Sequence, residues 1–139
     1  IVSGVPAPPA GIVRTQIGRS TTNRKKMAVL PENKGKHAVT HYRTVESLAK
    51  TALVECTLET GRTHQVRVHM AHIGHPLIGD ATYSNRQNPF RIGPNQSKFE
   101  RQALHAASLG FIHPVSGEPL RFESSLPEDM QLLLSQLRL

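Results

Sequence analysis

Arg62 stands in the run Leu58-Glu59-Thr60-Gly61-Arg62-Thr63-His64-Gln65-Val66-Arg67-Val68-His69-Met70-Ala71, where an extended pattern gives way to helical spacing across one glycine. A guanidinium held at a strand-to-helix turn can grip a phosphate or orient a carboxylate, because its planar fork matches both. Carboxylates for that second role are scarce. The only aspartates are Asp80 and Asp129. Asp129 falls in the first turn of a helix, where the helix dipole accounts for it. Asp80, in Ile78-Gly79-Asp80, has the setting of a turn carboxylate that accepts from its own following backbone. By spacing alone, Arg62 reads as a surface arginine paired with Glu59 or with a helix terminus. Histidines cluster in the same region at His64, His69, His72 and His75. A zinc site wants three ligands converging on an open position. Met70 stands where a His-Glu-x-x-His motif needs glutamate, and His75 lies beyond the helix-ending Gly74. No metal site is expected; capping, packing or RNA contact accounts for these histidines.

The charge balance points to an anionic partner. Seventeen Lys and Arg face ten Asp and Glu, a net charge of +7 over 139 residues. Between Arg14 and Lys36 the basic residues are Arg14, Arg19, Arg24, Lys25, Lys26, Lys34 and Lys36, against the single acid Glu32. Such a stretch suits a polyphosphate backbone, where each neutralised phosphate releases counterions. A solvated basic loop without a partner is the bland alternative. Cys56, the only cysteine, can form no intramolecular disulfide, which fits a reducing, cytoplasmic setting. No apolar run approaches the roughly 18 residues that span a bilayer. The length suits one domain.

The elements that must position these residues follow from periodicity. Pro6, Pro8 and Pro9 with Gly4 and Gly11 make the first residues an extended lead-in. Ile12 to Arg19 reads as extended and Met27 to Leu30 as a short strand. His37 to Ser47 and Thr51 to Thr60, rich in β-branched residues, read as a strand pair about a short turn. In the second, Ala52, Val54, Cys56 and Leu58 fall on one face and Glu55, Thr57 and Glu59 on the other, a period of two that predicts a buried and a wet side. After Gly61, Val66, Met70 and Ile73 recur at helical spacing, with Thr63 positioned to cap the first turn and Gly74 and Pro76 to end the helix. Arg86 to Ser97 is polar and reads as a surface loop. Ala103 to His113 and Pro119 to Ser125 form a hairpin about Pro114-Val115-Ser116-Gly117. Pro127-Glu128-Asp129 opens a helix with the apolar stripe Met130, Leu133, Leu134 and Leu137. The expected fold is α+β, a mixed, largely antiparallel β-sheet with flanking helices. No glycine-rich phosphate loop follows a strand, so a nucleotide-binding α/β fold is disfavoured.

Leu58 to Tyr83, LETGRTHQVRVHMAHIGHPLIGDATY, resembles the C-terminal signature of the RluA-type pseudouridine synthases. Further segments agree in order: Ile17-Gly18-Arg19 through Met27-Ala28-Val29, Ala38-Val39-Thr40-His41-Tyr42, Arg101-Gln102-Ala103-Leu104-His105-Ala106, His113 to Glu118, and Leu126 to Met130. The resemblance covers nearly the whole chain. It implies the C-terminal half of a catalytic domain that isomerises uridine to pseudouridine in large-subunit ribosomal RNA, with neither metal nor cofactor. The family's catalytic aspartate belongs to an upstream His-Arg-Leu-Asp segment, and no such segment stands between Ile1 and Leu139. The family tyrosine that packs on the target base and the S4-like RNA-binding domain also lie upstream. By resemblance, Arg62 pairs with that aspartate, and the missing half of the domain is a partner of this chain. Arg19, Arg24, Lys25 and Lys26 are the expected RNA contacts, together with His64 and Arg67 of the motif. Departures are few: Val66 replaces the usual isoleucine, and Ala81 and Ser84 stand where proline and glycine are common. The alternative is a non-catalytic RNA-binding module on the same scaffold.

Overall fold

The computed structural model describes residues 1–84 and 99–138; the expected surface loop at Arg86 to Ser97 lies outside them. Among the described residues, seven strands and two helices follow in chain order: β1 (Val2–Ser3), β2 (Ala10–Arg19), β3 (Met27–Leu30), β4 (Lys36–Leu48), β5 (Thr51–Leu58), α1 (Gln65–His72), β6 (Ser108–Ile112), β7 (Pro119–Glu123) and α2 (Glu128–Leu137). The α+β expectation holds. Five strands form one sheet in the order β1-β5-β4-β2-β3, and β6 pairs with β7 in a separate hairpin. Every strand pairing among the described residues is antiparallel.

The long β4 is the spine of the sheet. It pairs with β2 from Ala10↔Arg43 to Ile17↔Lys36, and with β5 from Thr40↔Leu58 to Leu48↔Thr51. A register shift between Thr44 and Glu46 bends this second ladder, as an extra residue in one strand does. Lys50, the second residue of the two-residue turn, takes a left-handed conformation with φ 59°.

Helix α1 lies across the sheet and seals two clusters with opposite sides of its surface. Val68 joins Ile17 and Ala38, while Met70 joins Val2, Ala52 and Leu77, flanked by Val54 and Cys56. The predicted stripe of α2 is buried throughout: Met130, Leu133, Leu134 and Leu137 close over Ile1, Ile78 and Ala103. Each such side chain contributes about 1.5–3 kcal/mol on burial. The β5 alternation holds for Ala52, Val54 and Cys56 but not for Leu58, which is 45% exposed. Leu58 ends the strand, outside the apolar clusters. Helix α1 ends as expected, with Gly74 at φ 91°. The His75 N–H donates to Met70 O at 2.8 Å and the Gly74 N–H to Ala71 O at 3.0 Å, a paired closure that satisfies the last carbonyls.

Beyond α1, residues 77–80 run against 99–103, with the Ala103 N–H donating to Ile78 O at 2.8 Å. Gly79 makes this approach possible. Its φ is 78°, and a Cβ added there would stand 2.0 Å from Arg101 O. Because Asp80 follows directly, this contact also positions the site. Gly79→Ala combines a strained backbone with a clash against main chain, so it should destabilise the fold by about 3 kcal/mol or more. Urea unfolding checks this; a midpoint unchanged from the parent chain would show that the close approach is not required.

Candidate functional site

The turn Thr60-Gly61-Arg62 is held from inside by Gln65. This side chain is 2% exposed and satisfies four groups at once. Its Oε1 accepts from the Thr60 hydroxyl at 2.7 Å and from the Arg62 N–H at 3.0 Å. Its Nε2 donates to Val39 O at 3.0 Å and to Thr40 Oγ1 at 2.9 Å. Thr60 Oγ1 in turn accepts the Val39 N–H at 3.0 Å. The amide thus bonds the turn to β4. The expected Thr63 cap is not formed. His64 is the residue before the helix, with φ 56° and no side-chain cap, and the Gln65 side chain does the tying instead. The left-handed His64 occupies the capping position itself, so Thr63 stands one residue too early to cap.

The network continues into the core. His69 is fully buried, with Nδ1 2.7 Å from Thr40 Oγ1 and Nε2 2.7 Å from Thr15 Oγ1. Burial, and secondarily the neighbouring His72, push its pKa down to about 4, so one ring nitrogen donates and the other accepts. His72 is exposed, while both His69 nitrogens are taken by threonines, so the pair does not converge on a ligand. Among the described residues no three His, Cys, Asp or Glu gather as metal ligands.

Arg62 is half-buried. Its Nε–H donates to His37 O at 2.8 Å, which lays the guanidinium beside the start of β4. Among the described residues its Nη1 and Nη2 meet no protein acceptor. The pairing with Glu59 does not occur, because Glu59 takes His41 at 2.5 Å, while Glu55 takes Arg43 at 3.2 Å. Both aspartates are also committed. Asp129 is forked by Arg101 at 2.8 and 2.9 Å. Asp80, 1% exposed, is forked by Arg67 at 2.9 and 3.0 Å. Asp80 also accepts the N–H groups of Thr82 and Tyr83, as expected of a turn carboxylate. Burial pushes the Asp80 carboxyl up, but the Arg67 hydrogen bonds and these backbone donors outweigh it and hold the carboxyl below its usual range.

The other expected residues meet around a tyrosine that sequence reasoning quoted without weighing. Tyr83 Oη accepts the Met27 N–H at 3.0 Å and lies 2.8 Å from His64 Nδ1. The Arg67 guanidinium carbon stands 5.0 Å and Lys26 Nζ 5.9 Å from its ring centroid. Arg19 is close enough to act electrostatically on His64, and its Nη1 donates to Arg24 O at 3.0 Å. The fold therefore gathers Arg19, Lys26, His64 and Arg67. Arg24 and Lys25 sit exposed on the turn after β2. Arg67, with its fork on Asp80, is a structural cation. The Arg67–Asp80 pair escaped sequence reading, since both residues had bland local explanations. The available signal was a lone carboxylate placed three residues before a tyrosine in a strongly cationic motif.

A sequence profile of the RNA pseudouridylate synthase family matches residues 1–72, just over half the chain. The chain belongs to that family, as its RluA-type motifs led us to expect. Among individual proteins it is 50% identical over 137 residues to ribosomal large subunit pseudouridine synthase D of Zymomonas mobilis, spanning 99% of this chain and 43% of that protein. A protein of the same name from Neisseria meningitidis is 49% identical over 93% of this chain and 35% of its own length. The chain thus spans less than half the length of these relatives. The solved structure of human RNA pseudouridylate synthase domain containing 4 superimposes with a TM-score of 0.72 at 27% identity, covering 99% of this chain and 59% of that one.

The buried histidine yields a test of the network that carries Arg62. With its folded pKa near 4 and an unfolded value near 6.5, His69 favours the native state fully above the unfolded value, and the contribution is lost as pH falls toward 4. The whole effect amounts to about 3 kcal/mol. The C2 proton resonance of His69 should therefore hold its shift from pH 8 to pH 5. A His69 midpoint near 6.5 would mean the ring is not sealed between the two threonines.

Proposed function

We propose that residues 1–139 are the C-terminal part of the catalytic domain of an enzyme that isomerises uridine to pseudouridine in large-subunit ribosomal RNA in the cytoplasm. In this reading the chain supplies Arg62 and an RNA-contacting face. The nucleophilic carboxylate comes from a part of the domain outside these residues. The observation that carries the reading is the state of Arg62. It is fixed at Nε by the His37 carbonyl, while the chain's two aspartates are each bound to another arginine. The names of the relatives support the reaction and the ribosomal RNA target.

A carboxylate brought against the free edge of Arg62 would be held ionised and aimed by a two-pronged, charge-assisted hydrogen bond. An ionised carboxylate is the form that attacks, and a uridine must leave its stack to reach it. In the family chemistry the glycosidic bond is cleaved, the base turns and is rejoined through carbon, with no cofactor. Arg19, Arg24, Lys25 and Lys26 form the phosphate track; His64 extends it toward α1, and Arg67 acts from behind Tyr83.

Two measurements test this. If four cations contact single-stranded phosphates, log affinity for RNA falls with log salt at a slope near −3; a slope of zero would remove them from the interface. The chain alone, incubated with uridine-labelled ribosomal RNA transcript, should form no pseudouridine. Product would mean that Asp80 or Asp129 leaves its arginine and acts as nucleophile. An Arg-Leu-Asp motif in the upstream reading frame supports the enzyme over a purely RNA-binding module.

A further inference from the structure

His64 lies among charges that it does not join. Its ring contacts Tyr83 edge-on, with centroids 5.6 Å apart, and its Nδ1 is 2.8 Å from Tyr83 Oη. The phenol has one proton, and one of its lone pairs already takes the Met27 N–H at 3.0 Å. Burial, with the charges of Arg67 and Arg19, outweighs Asp80 and keeps His64 below its usual pKa. We assign Nδ1 as the acceptor of the Tyr83 hydroxyl proton, which leaves a neutral imidazole carrying its own proton on Nε2. The result is an exposed neutral N–H donor within electrostatic reach of Arg19, with Lys26 Nζ 5.9 Å from the ring centroid of the same tyrosine. Arg67 adds little net charge, because Asp80 neutralises it.

We propose that Arg19, Lys26 and the Nε2–H of His64 form a seat for one phosphodiester of the RNA, with Tyr83 the positioning residue that fixes which nitrogen of His64 donates. The inference rests on the RNA-modifying reading above and specifies one contact of that interface. Two cations and a neutral N–H suit the separate oxygens of one phosphate. The adjoining recess of about 420 Å³ is lined by Asn23, Lys25, Lys26, Thr82 and Ser84. This lining suits a sugar–phosphate backbone better than a stacked base, which wants an aromatic or apolar wall.

Occupancy should change the histidine. A bound phosphate favours the imidazolium, in which Nδ1–H donates to Tyr83 Oη and the phenol turns its own proton away. RNA binding should therefore raise the His64 midpoint, and affinity should increase as pH falls from 8 to 6.

The experiment is a pH titration of the nitrogen-15-labelled chain by long-range nitrogen–proton NMR, free and with decauridylate at low salt. The expected result is an Nε2–H tautomer in the free chain and a His64 midpoint raised by at least half a pH unit with RNA. Tyr83→Phe should mix the tautomers and weaken decauridylate binding about fivefold, and His64→Gln should abolish the pH dependence of binding. A free chain with the proton on Nδ1 overturns the proposal without any need for a variant to fold. So does RNA that binds but leaves the His64 midpoint unmoved, and in both cases the RNA reading survives. Polyglutamate raising the midpoint as far as decauridylate would reassign the seat to an acidic protein. Failure of decauridylate to bind even at low salt would overturn both this seat and the RNA reading.

Discussion

The Gln65 amide is the interaction on which the site depends. A buried amide has two donors and an acceptor oxygen with two lone pairs, and leaving such groups unpaired costs about 1–3 kcal/mol each. Here every one is matched: Thr60 and Arg62 from the turn, Val39 and Thr40 from β4. The turn cannot shift relative to the sheet without breaking several bonds together, so its position is close to all-or-none. His69 extends the lock to β2 through Thr15. Arg62 is therefore presented from a rigid platform although it stands on a turn.

The same turn feeds two separate surroundings. Arg62 leans on the carbonyl of His37 at the start of β4, whereas His64, two residues on, meets Tyr83. The left-handed backbone at His64 makes this divergence possible. Carboxylates are then withdrawn from both surroundings. Asp80 is sealed against Arg67 and Asp129 against Arg101, and Glu59 is occupied by His41. A chain of net charge +7 thus keeps Arg19, Arg24, Lys25 and Lys26 available on one face. On the proposed function, that division would give one arginine to chemistry and a cationic strip to the nucleic acid.

Much of this arrangement was legible in the sequence. The β-branched runs before and after Ala49-Lys50 announced the β4–β5 hairpin, and the leucines of α2 announced the face that closes the second core. Gly74 ended α1 where its conformational freedom said it would. What could not be read were contacts made across the fold. Thr63 has the right chemistry for a cap, but the left-handed His64 occupies the capping position, which no side-chain pattern discloses. Gln65 reads as an ordinary polar residue at a helix start, and nothing local says that it is buried against β4. Asp80 was recognised as a turn carboxylate, yet its larger partner is Arg67, which enters from α1. Leu58 shows the converse: its alternation was correct for a strand, but the strand outruns the core that would cover it. The role proposed for Arg62 rests on family resemblance, since its spacing alone favoured a surface ion pair.

The central claim is that Arg62 serves an upstream carboxylate in the transition state and does not merely hold RNA. The most direct measurement is the effect of Arg62→Lys in the intact parent enzyme, comparing the single-turnover rate of pseudouridine formation with RNA affinity at the same salt concentration. Lysine keeps the charge but cannot reproduce the fork. We expect the rate to fall by at least a hundredfold while affinity changes less than threefold. Equal losses in rate and affinity would contradict the account and make Arg62 a binding residue.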